Sequence, residues 1–453
     1  MDREVGSESK SKTAQGGDSN SLVDFVTYGC KVNAYDTGIL ENRVLSHFHN
    51  EDLKAKLSKS GKSKIVILNT CAVTSEATSE AIRQSQALKR ADPNQLVVVT
   101  GCSAQVDTER FLDLGEVDLI VANSHKGNLE KHILDHLDSE GLHGRVFKSN
   151  IFKKEDLEEG GGEQSTHTRS FLKVQDGCNS FCTFCVIPFA RGKSRSIPVD
   201  RVIERIKKLL DQDVKEVVIT GIHLGDYEGG LENLVEKVLL KTRIPRLRLT
   251  SLEPQEVTPK LLELFSDPRL CPHVHMSIQS ASTPVLAAMK RQYTAKEVSE
   301  SLLRLHKFVP GVFIGMDVIA GFPTESEDLF LETYQNLKEL PWSRIHVFPY
   351  SERPGTFAVK LSPKNEQSIV KARARRLREL SFERYNEIAK AQIGQTKRCL
   401  ILKNNTALSR DYWSVELAKD SIEKGFVPNT EVSLKISGIG SMSRGGEWRL
   451  VTG

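Results

Sequence analysis

The sequence contains no uninterrupted apolar run of about 20 residues, so no membrane-spanning helix and no membrane partner are expected. Its opening stretch, MDREVGSESKSKTAQGGDSN, lacks the apolar core of a secretory leader, and its polarity predicts a disordered tail over residues 1–20. Cysteine is scarce. Eight in 453 residues exclude a disulfide-stapled scaffold, and free thiols of this kind suit a reducing compartment, so a cytoplasmic protein is expected. No strong charge of one sign is present: 63 Lys and Arg against 59 Asp and Glu give +4, which permits nucleic-acid binding without requiring it. No dinucleotide-binding glycine fingerprint occurs either. The short runs Gly221-Ile222-His223-Leu224-Gly225 and Ala320-Gly321-Phe322-Pro323 only allow a backbone to approach a ligand closely.

What is present is concentrated in Gly177-Cys178-Asn179-Ser180-Phe181-Cys182-Thr183-Phe184-Cys185. Three thiols at Cys-x3-Cys-x2-Cys spacing can wrap a soft metal or an iron–sulfur cluster. A structural zinc would want a fourth protein ligand, and no cysteine lies nearby; a distant histidine is the alternative that would complete such a site. On a four-iron cluster, three ligands leave one iron open to an external partner. The amino and carboxylate groups of S-adenosylmethionine would serve. Phe181 and Phe184, between the ligands, are expected to exclude water and tune the cluster. The basic run that follows, with Arg191, Lys193 and Arg195, reads either as a solvated patch or as a phosphate or cofactor clamp.

Upstream, short apolar runs alternate with helical segments. Val23–Thr27, Ile65–Leu68, Val97–Thr100 and Val117–Val121 read as strands, with helices over 74–90 and 126–137, so a parallel α/β domain is predicted over 21–141. Ligands usually meet such domains at the carboxyl ends of the strands. Cys30, Cys71 and Cys102 each follow a strand there, either as inert buried residues or as a shared cluster. Residues 142–165, charged and glycine-rich, read as a linker.

A second series runs over 166–393, with strands at 170–175, 217–220, 246–250, 273–278, 313–319 and 343–348. It predicts a partial barrel or an open α/β sheet, with the cysteine trio at the mouth after the first strand. Asp317, inside an apolar run, is expected to be paired or to face the site. His273 and His275 share a face and are expected to pack. A basic helix over 365–394 precedes a change of character. From 394 to 453 the pattern is all-β with glycine turns, which suits a small barrel that binds RNA.

The chain resembles the radical S-adenosylmethionine methylthiotransferases. TYGCKVNAYDT, NTCAVTSEATS and TGCSAQ resemble that family's first domain, DGCNSFCTFCVIPFARGKSRS its central cluster motif, and the segment after Gly394 its small carboxyl-terminal TRAM-like RNA-binding barrel. The resemblance implies a partial six-stranded α/β barrel and two [4Fe–4S] clusters. Cys178, Cys182 and Cys185 would hold the radical-generating cluster, and Cys30, Cys71 and Cys102 an auxiliary one. It implies S-adenosylmethionine both as methyl donor and as source of a 5′-deoxyadenosyl radical that abstracts hydrogen from a base carbon. Gly221, His223, Gly225, Asp226 and Gln279 would border the cofactor, Arg195 would reach its carboxylate, and Arg444, Gly445 and Gly446 would grip tRNA.

Within the family, Gly29-Cys30-Lys31-Val32-Asn33 and HVFPYSERPGTFA (346–358) look most like enzymes acting on N6-threonylcarbamoyladenosine. The implied partners are tRNAs reading codons that begin with A, an electron donor such as flavodoxin or ferredoxin, and a sulfur source. The alternatives are isopentenyladenosine in tRNA, a ribosomal-protein aspartate, or a non-catalytic RNA-binding protein with a structural metal. Thr324 departs from the family pattern, standing where a glycine often follows Gly-Phe-Pro.

Overall fold

The computed structural model of the chain describes residues 21–48, 50–139, 144–157, 168–403, 405–418, 426–442 and 448–452. The expected tail over 1–20, much of the expected linker, and Arg444, Gly445 and Gly446 lie outside the described residues.

The first domain is built on a parallel sheet in the order β1 (Val23–Thr27), β2 (Ile65–Thr70), β3 (Leu96–Gly101), β4 (Leu119–Ala122), β5 (Val146–Phe147). Every position of β2, β3 and β4 is buried, as befits β-branched strands covered on both faces. Leu40, Val44 and Ile133 pack on one face and Ala81 and Phe111 on the other. The linker expectation needs correcting at its start. Val146–Phe147 pairs with β4, and the neighbouring Arg145 donates to the carbonyls of Val117 at 2.7 Å and Leu112 at 3.2 Å. Two residues are too short a run to register as a strand in the sequence pattern.

The central domain begins with β6 (Arg169–Lys173), followed by the short antiparallel pair β7 (Gln175–Asp176) and β8 (Arg195–Ser196). Then come β9 (Glu216–Thr220), β10 (Arg246–Leu249), β11 (His273–Gln279), β12 (Phe313–Ala320) and β13 (Arg344–Pro349). Two parallel three-stranded sheets, β6-β9-β10 and β11-β12-β13, are joined by bridges at Leu247–Leu270 and Leu252–Met276. The result is a partial six-stranded α/β barrel. Among the described residues β6 and β13 do not pair, so it is open at one side. The helix Gln367–Lys390 lies against β13, where Arg378 donates to the Val347 carbonyl at 3.3 Å and Ser381 to that of Ile345 at 3.1 Å. Thr324 adopts a left-handed φ of +73°, the conformation a glycine takes freely, and its N–H is held by the Pro363 carbonyl at 2.8 Å.

The third domain is a closed barrel in the order β14 (Thr396–Ile401), β15 (Thr406–Ser409), β16 (Ser414–Glu416), β18 (Trp448–Thr452), β17 (Glu431–Met442), the TRAM-like architecture expected. It docks on the starting ends of the central strands. Arg246 and Arg248, both fully buried, share the Glu216 carboxylate; Arg246 reaches Glu431 at 2.7 Å and Arg248 the Arg410 carbonyl at 3.1 Å. His273 packs as expected, its ring 3.9 Å from that of Tyr412.

Candidate active site

The central trio sits on a loop pinned by several backbone hydrogen bonds. Gly177 has φ +75°, and a Cβ there would lie 2.0 Å from the Lys193 carbonyl oxygen, so only glycine lets the chain turn into the loop. The Cys178 N–H then bonds the Gly192 carbonyl at 3.2 Å and the Thr183 N–H that of Met289 at 3.1 Å. The Ser180 N–H points at Cys178 Sγ from 3.4 Å, and Arg291 Nη1 donates to Cys182 Sγ at 3.0 Å. Burial, reinforced by the neighbouring Cys182, pushes the Cys185 thiol up to about 12. Burial likewise raises Cys182, with Arg291 working against it.

The first-domain trio comes together because β1, β2 and β3 are adjacent and in register, so their carboxyl ends align. Cys30 immediately precedes the helix Lys31–His47, Cys71 follows β2 and Cys102 opens the short helix after β3. Gly29, at φ +92°, makes room: a Cβ would stand 2.6 Å from Cys71 Sγ. Burial first, and then the charges of Cys30 and Cys102, push Cys71 up to about 12. Asn123 Nδ2 approaches Cys102 Sγ at 3.7 Å.

Both trios belong to one cavity of about 2270 Å³, lined by Cys30, Cys71, Cys178, Cys182 and Cys185, with Cys102 buried beside Cys71. Each trio offers three soft thiol donors and no carboxylate or imidazole within its own set, which fits iron–sulfur clusters. The ligand atoms of Cys178, His223 and Asp226 lie within 4.8 Å of one another, as do those of His223, Glu253 and Glu256, and the first group is the one that would join a histidine to the trio. Both ring nitrogens of His223 are already engaged, Nε2 with Glu256 at 2.7 Å and Nδ1 with Asp226 at 3.4 Å. Burial disfavours its charge, but the bonds to Asp226, Cys178 and Glu256 prevail and hold it well above the usual imidazole range.

The other expected cofactor residues divide. Gly221, His223 and Gln279 line the cavity, and Gln279 holds a left-handed φ of +64°, as does Ser251 beside it at +58°. Gly225 and Asp226 do not line it. A Cβ on Gly225 would fall 1.7 Å from Glu256 Oε1, and Asp226 accepts from the Asn179 N–H at 3.1 Å, so both shape the loop behind His223. Arg195 is corrected: its guanidinium donates to the Lys154 and Arg191 carbonyls at 3.0 and 2.8 Å, away from the cavity. Phe184 packs edge-on against Phe322, whereas Phe181 is 38% exposed and packs against Phe152 and Phe189.

Arg191 is neither a surface patch nor a clamp on an external ligand. It is buried between domains, bonded to Asn33 at 2.6 Å, Asp36 at 3.0 Å and Asp176 at 2.9 Å. Asp36 also receives Lys173 at 2.5 Å and Lys126 at 3.2 Å. This network ties the helix carrying Cys30 to the barrel carrying Cys178. The sequence reading missed Gln175, whose Oε1 accepts from the Ile222 and His223 N–H groups at 2.9 Å each. It also missed Arg291, which lies 109 residues from the thiol it touches.

A side-open α/β barrel with a thiol trio after its first strand defines a radical S-adenosylmethionine enzyme. Residues 172–337 match the Radical SAM superfamily, and residues 23–122 match the uncharacterized protein family UPF0004. The solved structure of the radical S-adenosylmethionine methyltransferase TsrM from Kitasatospora setae, with cobalamin and a [4Fe-4S] cluster bound, shares the fold: TM-score 0.52 and 13% identity, covering 75% of this chain and 77% of that one. Threonylcarbamoyladenosine tRNA methylthiotransferase MtaB of Aquifex aeolicus is 38% identical over 87% of this chain and 96% of its own length. The Bacillus subtilis protein of that name is 34% identical over 82% of each. The tRNA-2-methylthio-N(6)-dimethylallyladenosine synthase of Thermodesulfovibrio yellowstonii is 31% identical over 77% of this chain and 80% of its own. The chain belongs to the radical S-adenosylmethionine methylthiotransferase family.

Proposed function

We propose that this chain converts N6-threonylcarbamoyladenosine at tRNA position 37, next to the anticodon of tRNAs reading codons that begin with A, to its 2-methylthio derivative. The observation that carries this reading is the cavity at the unclosed side of the barrel, lined by all of the central trio and by Cys30 and Cys71 of the first-domain trio. A reaction that removes hydrogen from a base carbon and places sulfur on it needs both chemistries within reach of one atom. Relatives named for this nucleoside support the choice of substrate.

When bound, a [4Fe–4S] cluster on Cys178, Cys182 and Cys185 supplies the electron that cleaves S-adenosylmethionine, and a second on Cys30, Cys71 and Cys102 supplies the site for sulfur. The chain's own residues do the positioning. Gln175 fixes the loop that carries Gly221 and His223 against the cofactor's place. Arg291 and Glu253 brace the Cys182 side, joined at 2.6 Å. Lys371, Arg375 and Arg378 on the helix Gln367–Lys390 face the cavity at i, i+4 and i+7 and present cations to an RNA backbone. A reductant such as flavodoxin or ferredoxin and a sulfur source complete the cycle. No described helix is long and apolar enough to cross a membrane.

The test is nucleoside mass spectrometry of total tRNA from a deletion strain. Loss of 2-methylthio-N6-threonylcarbamoyladenosine is expected. Its persistence alongside loss of the isopentenyl counterpart would reassign the substrate.

A further inference from the structure

The inner face of a closed α/β barrel is filled by branched apolar side chains. Along β11, β12 and β13 this chain does the opposite. Alternate residues point to one face of a strand, and the outward set Met276, Ile278, Met316, Val318 and Ile345 forms the buried core. The inward set facing the cavity includes His275, Asp317, Arg344 and His346. These four are half-buried and assembled. His275 Nε2 and Asp317 Oδ1 are 2.8 Å apart, and the His275 and His346 rings stand 5.2 Å apart at 61°. Asp317 and His346 are register partners across β12 and β13, with Arg344 two residues along the same face. Gly315 leaves space for the ring: a Cβ there would lie 3.0 Å from His275 Nδ1.

We infer that His275, Asp317, Arg344 and His346 form the subsite that reads the threonylcarbamoyl side chain of the target nucleoside, an inference that rests on the tRNA reading above. That side chain carries a carboxylate, a hydroxyl and a ureido N–H. The Arg344 guanidinium and the His346 ring supply donors for the carboxylate, and Asp317, oriented by His275, supplies an acceptor for the hydroxyl or N–H. An isopentenyl group offers none of these. It would gain no hydrogen bond from the same four side chains, so the site favours the polar group over the apolar one. The subsite lies in the same cavity as Cys30, Cys71 and the central trio, and Gln279, four residues beyond His275, lines it too.

The test measures equilibrium binding of the full-length, cluster-loaded protein to two forms of one tRNA, with N6-threonylcarbamoyladenosine or plain adenosine at position 37. Wild type is expected to prefer the modified form. Arg344→Met and His346→Phe are each expected to weaken binding of the modified form at least tenfold, the effect of losing one charge-assisted hydrogen bond. Affinity for the plain form, which lacks the group being read, stays within about twofold. His346→Gln, which keeps a donor, is expected to recover part of the preference. If wild type discriminates and both disruptive variants keep its ratio, the subsite assignment is overturned while the substrate reading stands. A fall of both affinities together, in His346→Gln as well, also overturns it, because the residues then support the fold. If wild type binds both forms equally, the substrate reading fails and this inference with it.

Discussion

Arg291 Nη1 donates to Cys182 Sγ at 3.0 Å while its Nη2 pairs with Glu253 at 2.6 Å. The guanidinium is further fixed by the Tyr293 hydroxyl at 2.8 Å and the Ser277 carbonyl at 3.1 Å. A fixed cation bonded to a cluster-ligating sulfur stabilises added electron density, so it sets how readily the site is reduced.

Arg291→Met should therefore keep the cluster's iron but lower its reduction potential. Reductive cleavage of S-adenosylmethionine, read as 5′-deoxyadenosine released, is expected to slow roughly 10–100-fold, the usual effect of losing such a supporting contact. A potentiometric titration followed by electron paramagnetic resonance would test the cause. An unchanged potential would show that Arg291 acts on geometry alone.

Cys71 gives a cleaner separation of the two halves. The anaerobically reconstituted protein should carry about eight irons, two clusters of four, and Cys71→Ala about four. The variant should still form 5′-deoxyadenosine yet install no sulfur. Full sulfur insertion by it would remove the first-domain trio from the reaction.

The sequence showed the two trios with unequal clarity. Cys178, Cys182 and Cys185 lie within eight residues, so their joint role is local and legible. Cys30, Cys71 and Cys102 were legible only as strand ends. What unites them is the register of three parallel strands, Thr27 opposite Asn69 and Asn69 opposite Thr100, which spacing does not encode. Arg191 read either as part of a solvated patch or as a clamp on a phosphate or cofactor, and only the fold reveals Asp36 and Asp176 as its partners. Arg291 and Gln175 carried no pattern at all, since each acts through tertiary contact with a loop formed elsewhere.

The helix Gln367–Lys390 was legible as basic but not as a cavity wall. Lys371→Ala and Arg375→Ala should weaken tRNA binding similarly for modified and unmodified forms, since a phosphate contact carries no base information. Each should flatten the dependence of log affinity on log salt by roughly 1. Arg375 is 74% exposed and pairs with Glu379 only at 3.9 Å, so its charge remains available to RNA. A salt slope identical to wild type in both variants would move the RNA path elsewhere.

The Asp36 network makes the last prediction one of stability. Burial alone would raise this carboxyl, but Lys126, Lys173 and Arg191 outweigh it and hold it well below the ordinary range. A carboxylate depressed in the folded state contributes stability that is fully present above its unfolded value, near 3.9, and is lost as pH falls further toward the folded value. Wild-type stability should therefore decline below about pH 4 more steeply than that of Asp36→Asn. At neutral pH, Asp36→Asn leaves three buried cations short of a counter-charge and should cost roughly 3–5 kcal/mol, the usual penalty for breaking a buried ion pair. Because Asp36 sits on the first domain and Lys173 and Arg191 on the second, the loss should appear as separation of the domains before global unfolding. Limited proteolysis, read for cleavage between residues 140 and 168, would reveal it. Equal protease resistance of variant and wild type would mean that the domains hold together without the ions.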